Sequence, residues 1–509
     1  MATASRRPAL PRASGLLLVI VPILAVVGFI VGIVAGIRGE KIVSLALAIV
    51  TALVAFVPLA IDQARRPEDR HLMLSLIAMA YMGVFVVPVF SIYLPADGPV
   101  EPSGMNFTSL NTHDVMVGQL ISLAGLIALL VAYALPFASL TASLFPKARH
   151  DWPLRSTFLV GCVMIPFGWA IQLIAIFGLL PARVGSGFVG ALSLSVWFGL
   201  VLLSLAWFRY RSHYALFLLA ALVPTTMIFF GLGGSKQAFL RPVMFIVLTY
   251  WLYRRQISGR WILAGIAAIV VIYPAAHFYR HQVQMGRGIP DMLRNPVSAV
   301  DDVGRYVSTY SLGEYVSQGL VLITNRFDGL GRSSAIIRDT PDRVPFQGGW
   351  TLALIPVAYV PRLLWPGKPD TTIGNWITET YGSGTIVSTS TGPSWIGEFY
   401  LNFGVAGVVG GMVVMGFLLR LLQEAVLRSA TVPAIVAGVV ALEAVALSIQ
   451  GGVISSVNGV TFSLAPLVAT HFALRYMGAT VPAQNASAPG PSPRAIAADT
   501  PPVAGGLRS

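Results

Sequence analysis

Charge is what this chain has least of. Only 11% of its 509 residues are Asp, Glu, Lys or Arg, while 55% are hydrophobic and the mean hydropathy is +0.75. A soluble domain carries about a quarter of its residues charged, so a soluble protein is excluded and an integral membrane protein is indicated. Cysteine is almost absent. Cys162 stands alone inside an apolar run, so no intrachain disulfide can form and the thiol reads as a small buried hydrophobe. Acidic residues are also scarce, 21 against 34 basic ones, for a net charge of +13. Much of that excess sits in short connections between apolar runs, where it sets orientation and gives no case for nucleic acid. No internal repeat is found.

What the chain has instead is a succession of apolar segments, each near the roughly 20 residues needed to cross a hydrocarbon core. They fall near 15–37, 42–61, 71–94, 115–141, 157–180, 188–208, 214–232, 239–253, 261–279, 398–419, 432–451 and 457–474. These predict an all-α polytopic membrane protein of about twelve transmembrane helices, with 239–253 short enough to be tilted or broken. The first segment follows Arg6, Arg7 and Arg12 and is too long for a signal-peptide core, so it reads as an uncleaved span.

Basic residues fall on every second connection: the N-terminal arginines, Arg65/Arg66/Arg70, Lys147/Arg149/Arg155, Arg209/Arg211, Arg254/Arg255/Arg260, Arg420/Arg428 and Arg475. The alternate connections carry few, and 95–114 carries none; Arg38 and Lys41 dissent mildly beside Glu40. This register predicts both termini in the cytoplasm and the long segment 279–397 outside.

The organisation that follows is a nine-helix N-terminal frame (1–278), one large outer loop (279–397), three C-terminal helices (398–477) and a disordered cytoplasmic tail (478–509) rich in Pro, Ala, Ser and Gly. Inside the loop, the apolar spacing from Val303 to Asn325 predicts one or two helices on the outer membrane surface. The run Leu352 to Trp365, broken by Pro356 and Pro361, suits an interfacial or re-entrant segment, and Gly382 to Gly392 a flap.

Chemistry on an outer membrane face has no nucleotide supply, so a glycosyl donor there is lipid-linked, usually through a diphosphate. Such a head group calls for guanidinium or ammonium donors near the outer interface. Lys236, Arg241, Arg280, Arg326, Arg362 and Lys368 are the candidates at that level, and each is also able to serve as an interfacial anchor or partner of a loop carboxylate. Gly233-Gly234-Ser235-Lys236 lacks the full phosphate-loop pattern and follows a span, not a strand, so a Walker site is rejected.

Glu398, at the start of a span, is the candidate acid or base, with capping of that span's N-terminus as its structural alternative. His281 is the second candidate base or phosphate partner. His277 and His281 have i, i+4 spacing but no third ligand at motif distance, which argues against a metal. Glu443 lies mid-span, where an ionisable group is costly and is either functional or paired with Gln450 or a basic residue.

At these residues the chain resembles the bacterial O-antigen polymerase (Wzy-type), or oligosaccharide repeat unit polymerase, family. The resemblance rests on Gly234 to Pro242 (GSKQAFLRP), Asn325 to Leu330 (NRFDGL) and Gly348-Gly349-Trp350-Thr351. It continues through Val360 to Pro369 (VPRLLWPGKP) and Gly397 to Gly404 (GEFYLNFG), and so covers roughly the C-terminal half. It implies a GT-C-like, metal-independent glycosyltransferase with no cofactor, moving glycan from an undecaprenyl diphosphate carrier onto a second lipid-linked repeat unit. A polymerase of this kind would make O-antigen, exopolysaccharide or capsule at the bacterial inner membrane, with a chain-length regulator and a flippase as possible partners. Arg338 to Gly349 also fits an R-x10-G spacing carried by some members; among so many arginines and glycines one match by chance is expected.

The mechanism expected from the two arguments together has Arg280, Arg326 and Arg362 neutralising the donor diphosphate, and Glu398 or His281 accepting the proton of the attacking hydroxyl. A ligase attaching finished glycan to another acceptor, and a flippase or transporter for lipid-linked sugars, are the competing readings.

Overall fold

The computed structural model describes residues 39–89, 110–143, 149–176, 192–232, 236–256, 259–279, 296–326, 329–360, 364–371, 373–382, 391–427 and 429–483. Its helices, in chain order, begin with α1 (Glu40–Ala64), α2 (Leu72–Phe85), α3 (Thr112–Ala134), α4 (Phe137–Ala142), α5 (Leu154–Ile176) and α6 (Ser195–Phe208). Next come α7 (His213–Leu232), α8 (Lys236–Arg254), α9 (Gly259–Phe278), α10 (Pro296–Ser308), α11 (Leu312–Arg326) and α12 (Gly329–Asp339). The chain continues through α13 (Trp350–Ala358), α14 (Gly374–Tyr381), α15 (Ser394–Leu422), α16 (Val432–Gly451) and α17 (Val453–Tyr476).

Among the described residues, eight helices are long and apolar enough to cross a bilayer: α1, α2 with its continuation to Val89, α3, α5, α7, α15, α16 and α17. The protein is therefore an all-α polytopic membrane protein. The expected count of twelve also includes α6 and α9, whose apolar stretches (Ser195–Phe208 and Ile262–Phe278) are shorter among the described residues, and α8, whose Lys236, Arg241 and Arg254 dilute its apolar character. The remaining expected span, 15–37, lies outside the described residues.

Local chemistry explains where several helices start and how closely they pack. Asn111 and Asp114 form a reciprocal capping box at the head of α3, with Asn111 Oδ1 accepting the Asp114 N–H at 2.8 Å. α6 is central: twelve of its fourteen residues are buried. Small residues let α5 lie on it, since a Cβ on Gly161 would meet Leu203 and one on Gly168 would meet Val196 and Ser195. The same device joins α3 to α15, where Gly416 faces the Leu129 carbonyl with no room for a methyl group. Gly416→Ala is expected to cost about 1–3 kcal/mol, the usual range for overpacking. A lower unfolding temperature in detergent is the readout, and an unchanged one would refute this packing.

The basic connections converge on one end of the bundle. Arg70 donates to the Arg255 carbonyl at 2.9 Å, and Arg209 pairs with Asp151 at 2.7 Å while donating to the Ala430 carbonyl at 3.3 Å. Arg420 meets both Glu424, at 2.9 Å, and His71, at 3.3 Å. At this end a two-residue strand, β1 (His150–Asp151), pairs antiparallel with β2 (Val481–Pro482). The first residues of the expected disordered tail are thus held in place; 484–509 lies outside the described residues. The opposite end gathers the far turns of the spans: Val84 of α2 against Gly329, Gly118 of α3 against Ser334, and Gly451 of α16 against Gly392.

Of the expected loop helices, α10 and α11 form, and both pack on α9. Pro274 has no N–H, so the Val270 carbonyl one turn earlier loses its helical donor. Gly319 lets α11 come close to that carbonyl, and the Tyr315 hydroxyl donates to the neighbouring Val271 carbonyl at 2.8 Å. The Tyr306 ring stacks on Phe278 at 4.2 Å. The apolar run expected from Leu352 to Trp365 forms α13 as far as Ala358; Pro361, like most of the expected flap (383–390), lies outside the described residues.

Candidate functional site

The site is built around a break in α15. Phe403 (φ −144°, ψ 16°) and Gly404 (φ 64°, ψ −152°) leave helical geometry, and the second of these conformations is one that glycine alone tolerates easily. In a straight helix Phe399 would lie about 12 Å from Gly407 and about 18 Å from Gly411. Here the Phe399 carbonyl and ring pack directly against those two glycines. Residues 394–402 therefore fold back against the continuing helix as a short half-helix, and the crossing part begins only after Gly404. The expected span 398–419 is corrected accordingly: Glu398 sits in the half-helix, not at the head of the crossing.

The break frees two carbonyls, and the segment ahead of α13 takes them. The N–H groups of Gln347 and Gly348 donate to Leu401 O (3.0 Å) and Asn402 O (3.2 Å). Asn402 then clips the two segments together with its side chain. Its Oδ1 accepts the Gly349 N–H at 2.9 Å, while Nδ2 donates to Thr351 Oγ1 at 2.7 Å and to the Glu398 carbonyl at 2.8 Å. Gly348 and Gly349 hold positive φ of 57° and 91°, which brings their N–H groups onto Asn402.

Glu398 is sealed from solvent at 0% exposure. Its Oε2 accepts the N–H of Val453, the first residue of α17, at 2.6 Å. Gly452, at φ 112°, is the residue that a side chain would drive into this oxygen. The carboxylate thus caps α17, where the helix dipole favours negative charge, and not its own helix as the capping alternative supposed. Oε1 has no hydrogen-bond partner, although the Thr351 hydroxyl and the Ile454 N–H face the carboxyl group. Such a sealed, half-satisfied carboxylate is rare enough to call for an explanation.

Below the clip runs an apolar groove of about 530 Å³, walled by Leu352, Ile355, Phe399, Phe403, Val453 and Val457, with Gly407, Gly410 and Gly411 as its floor. Phe403 and Val414 at its edge are 50% and 55% exposed on the lipid-facing side of α15. Hydroxyls back the half-helix on its other sides. Ser394 meets Ser333 at 2.7 Å, and Trp395 Nε1 donates to Ser456 Oγ at 2.7 Å.

The other sequence-derived candidates are scattered. Arg241 pairs through Nε with Glu443 at 2.6 Å and lies over the Trp197 ring at 5.4 Å, away from this clip. Lys368 Nζ donates to the carbonyls of Ala358 (3.0 Å) and Val360 (2.9 Å), a cation at the end of α13. Arg280, His281 and Arg362 lie outside the described residues, as do the side chains of Lys236 and Arg326 on α8 and α11. Among the described residues no three His, Cys, Asp or Glu side chains gather as metal ligands. Trp395 is buried core, while Trp350 and Trp365 are 46% and 43% exposed.

Sequence reasoning missed Asn402 and Thr351, although both stand inside quoted motifs. It also missed an ion cluster around the buried Asp339, within 279–397. Asp339 is held between Arg338 (2.8 Å) and Arg343 (2.7 Å), and Arg343 donates to the Thr380 carbonyl at 2.7 Å. The Asp339 hydrogen bond raises the Arg338 pKa above its ordinary value and keeps it charged. Burial pushes Tyr381 up to about 12, so its hydroxyl stays protonated against Thr340, at 2.9 Å. Only the spacing of Arg338 to Gly349 hinted at this region.

No curated protein and no solved structure matches the chain. A family model described as a domain of unknown function (DUF8712) matches residues 146–427, more than half of the 509, so the fold-back of α15 and its clip lie within the match and the chain belongs to that family.

Proposed function

We propose that this protein is a metal-independent membrane glycosyltransferase that polymerises undecaprenyl-diphosphate-linked oligosaccharide repeat units into a surface polysaccharide. The observation that carries this reading is the clip through Asn402. It joins the 348–351 and 397–404 motifs beside Glu398, at the head of an apolar groove on a lipid-facing helix. A lipid-linked donor calls for that combination: a track for its chain that ends at polar groups for its head. The large segment 279–397 faces outward in this reading, and the end where the basic connections converge faces the cytoplasm of a bacterial inner membrane.

Arg280, Arg326 and Arg362, with Lys236, hold the donor diphosphate and make protonation of the leaving group unnecessary. Arg241 and Lys368 are left out of this clamp, because their cationic groups are engaged by Glu443 and by the end of α13. His281 accepts the proton of the attacking hydroxyl. Glu398, sealed and capping α17, positions the half-helix. A chain-length regulator and a flippase are the partners such an enzyme would work with.

Purified protein given lipid-linked repeats should elongate them, and Arg280→Ala, Arg326→Ala and Arg362→Ala should each lower turnover by about tenfold or more, the loss of one charge-assisted contact of up to 3 kcal/mol. Full polymer from all three variants would end the diphosphate clamp. A single transfer to an unrelated acceptor, with no ladder, would make the enzyme a ligase.

One observation favours a second reading, a transporter of lipid-linked sugars. The Arg241–Glu443 pair lies within the helical bundle, where transporters place polar residues. Substrate movement into vesicles without elongation would establish it.

A further inference from the structure

Two helices that start side by side at the basic end leave a groove that the proposed reaction does not use. α5 and α7 flank the buried α6, and between their first turns lies an open cavity of about 570 Å³. Pro153, Leu154, Phe158, Leu159 and Tyr214 give it apolar walls, and Arg155 and Ser212 stand at its rim. Tyr214 is 80% exposed and Leu159 51%. Both helices are long and apolar enough to cross a bilayer, so this surface meets lipid at the level where a span begins.

The charge around the groove is one-sided. Neither Arg155 nor Arg211 makes a side-chain hydrogen bond or ion pair among the described residues. The nearby carboxylate, Asp151, is fully engaged: it pairs with Arg209 at 2.7 Å and accepts the N–H groups of Val432 (2.7 Å) and Trp152 (2.8 Å). The first-turn N–H groups of α5 and α7 add partial positive charge at the same level. An apolar wall beneath an uncompensated guanidinium matches one chemistry well, an acyl chain ending in a phosphate. A free phosphate would leave the wall bare, and a neutral lipid would leave the guanidinium unanswered.

We propose that this groove holds an anionic glycerophospholipid, with one acyl chain along Leu154, Phe158 and Tyr214 and the phosphate on Arg155. The site adjoins the joint that ties the last helix to α5, where Tyr210 donates to the Trp152 carbonyl at 2.6 Å and Trp152 Nε1 contacts His471 at 3.1 Å. A lipid there braces α5 and α7 against that joint. The inference concerns a surface apart from Glu398 and stands whichever reaction the protein performs.

Native mass spectrometry of the delipidated full chain tests it, with dioleoylphosphatidylglycerol and dioleoylphosphatidylcholine offered in equal amounts. One phosphatidylglycerol should be retained in preference. Arg155→Gln should lower its retention about fivefold, the effect of one basic residue at a lipid surface. Arg155→Lys should keep most of it, and Arg66→Gln, on another basic connection, should change nothing. Unfolding temperatures in phosphatidylcholine discs should be equal for all of these, which separates lost binding from lost fold. Equal retention of the two lipids, or wild-type retention by Arg155→Gln, would overturn the proposal.

Discussion

Glu398→Ala should destabilise the protein by about 3 kcal/mol, whereas Glu398→Gln should stay within about 1 kcal/mol of wild type. The alanine variant removes the acceptor of the buried Val453 N–H and opens a void at a fully sealed position. An unsatisfied buried donor alone costs about 1–3 kcal/mol, and the void adds to it. Glutamine keeps the shape and one carbonyl oxygen for Val453, and its amide gains the Thr351 oxygen as a possible acceptor in place of the unpartnered Oε1. Thermal unfolding in detergent measures the difference. Turnover of the folded Gln variant then separates the roles. A positioning carboxylate tolerates the change, but loss of a general base costs roughly 10²–10⁴ in rate. A Gln variant as stable as wild type yet inactive would return Glu398 to the chemistry and remove His281 from its proposed place.

The second large effect is expected at the ion pair inside the bundle. Arg241→Ala or Glu443→Ala alone should cost about 3–5 kcal/mol, because each leaves the other charge buried without its partner. Glu443 is 4% exposed and Arg241 22%, so solvent cannot take over as partner for the carboxylate. The double variant Arg241→Met/Glu443→Leu should recover most of that loss, since two apolar side chains of similar size carry no desolvation cost. Unfolding temperatures of wild type, Arg241→Ala, Glu443→Ala and Arg241→Ala/Glu443→Ala form a double-mutant cycle, and additive losses would show the pair to be uncoupled. The cycle also bears on the transporter reading. If the pair serves only the fold, Glu443→Gln preserves elongation; if it lines a transport path, that variant loses substrate movement first.

Much of the architecture was legible because it is written in short stretches. Each crossing needs its own apolar run, and the basic connections could be counted without knowing any neighbour. Their alternation agrees with the single end at which Arg70, Arg209 and Arg420 are found. The site was legible only in part. Glu398 stood out as an ionisable residue beside an apolar run, but its capping of α17 crosses 55 positions of sequence. Asn402 looked like one more polar residue in a motif, because its partners Gly349 and Thr351 lie more than 50 positions earlier.

What the sequence determined by itself is the class of protein and the common side of its basic connections, since length, hydropathy and charge act residue by residue against the bilayer. What only the tertiary structure decided is which polar groups meet. The fold-back at Phe403–Gly404 and the Arg241–Glu443 pair, 202 positions apart, depend on which helices become neighbours. In a medium without water every buried polar group must find its partner in the protein, and helix packing alone settles which one it finds.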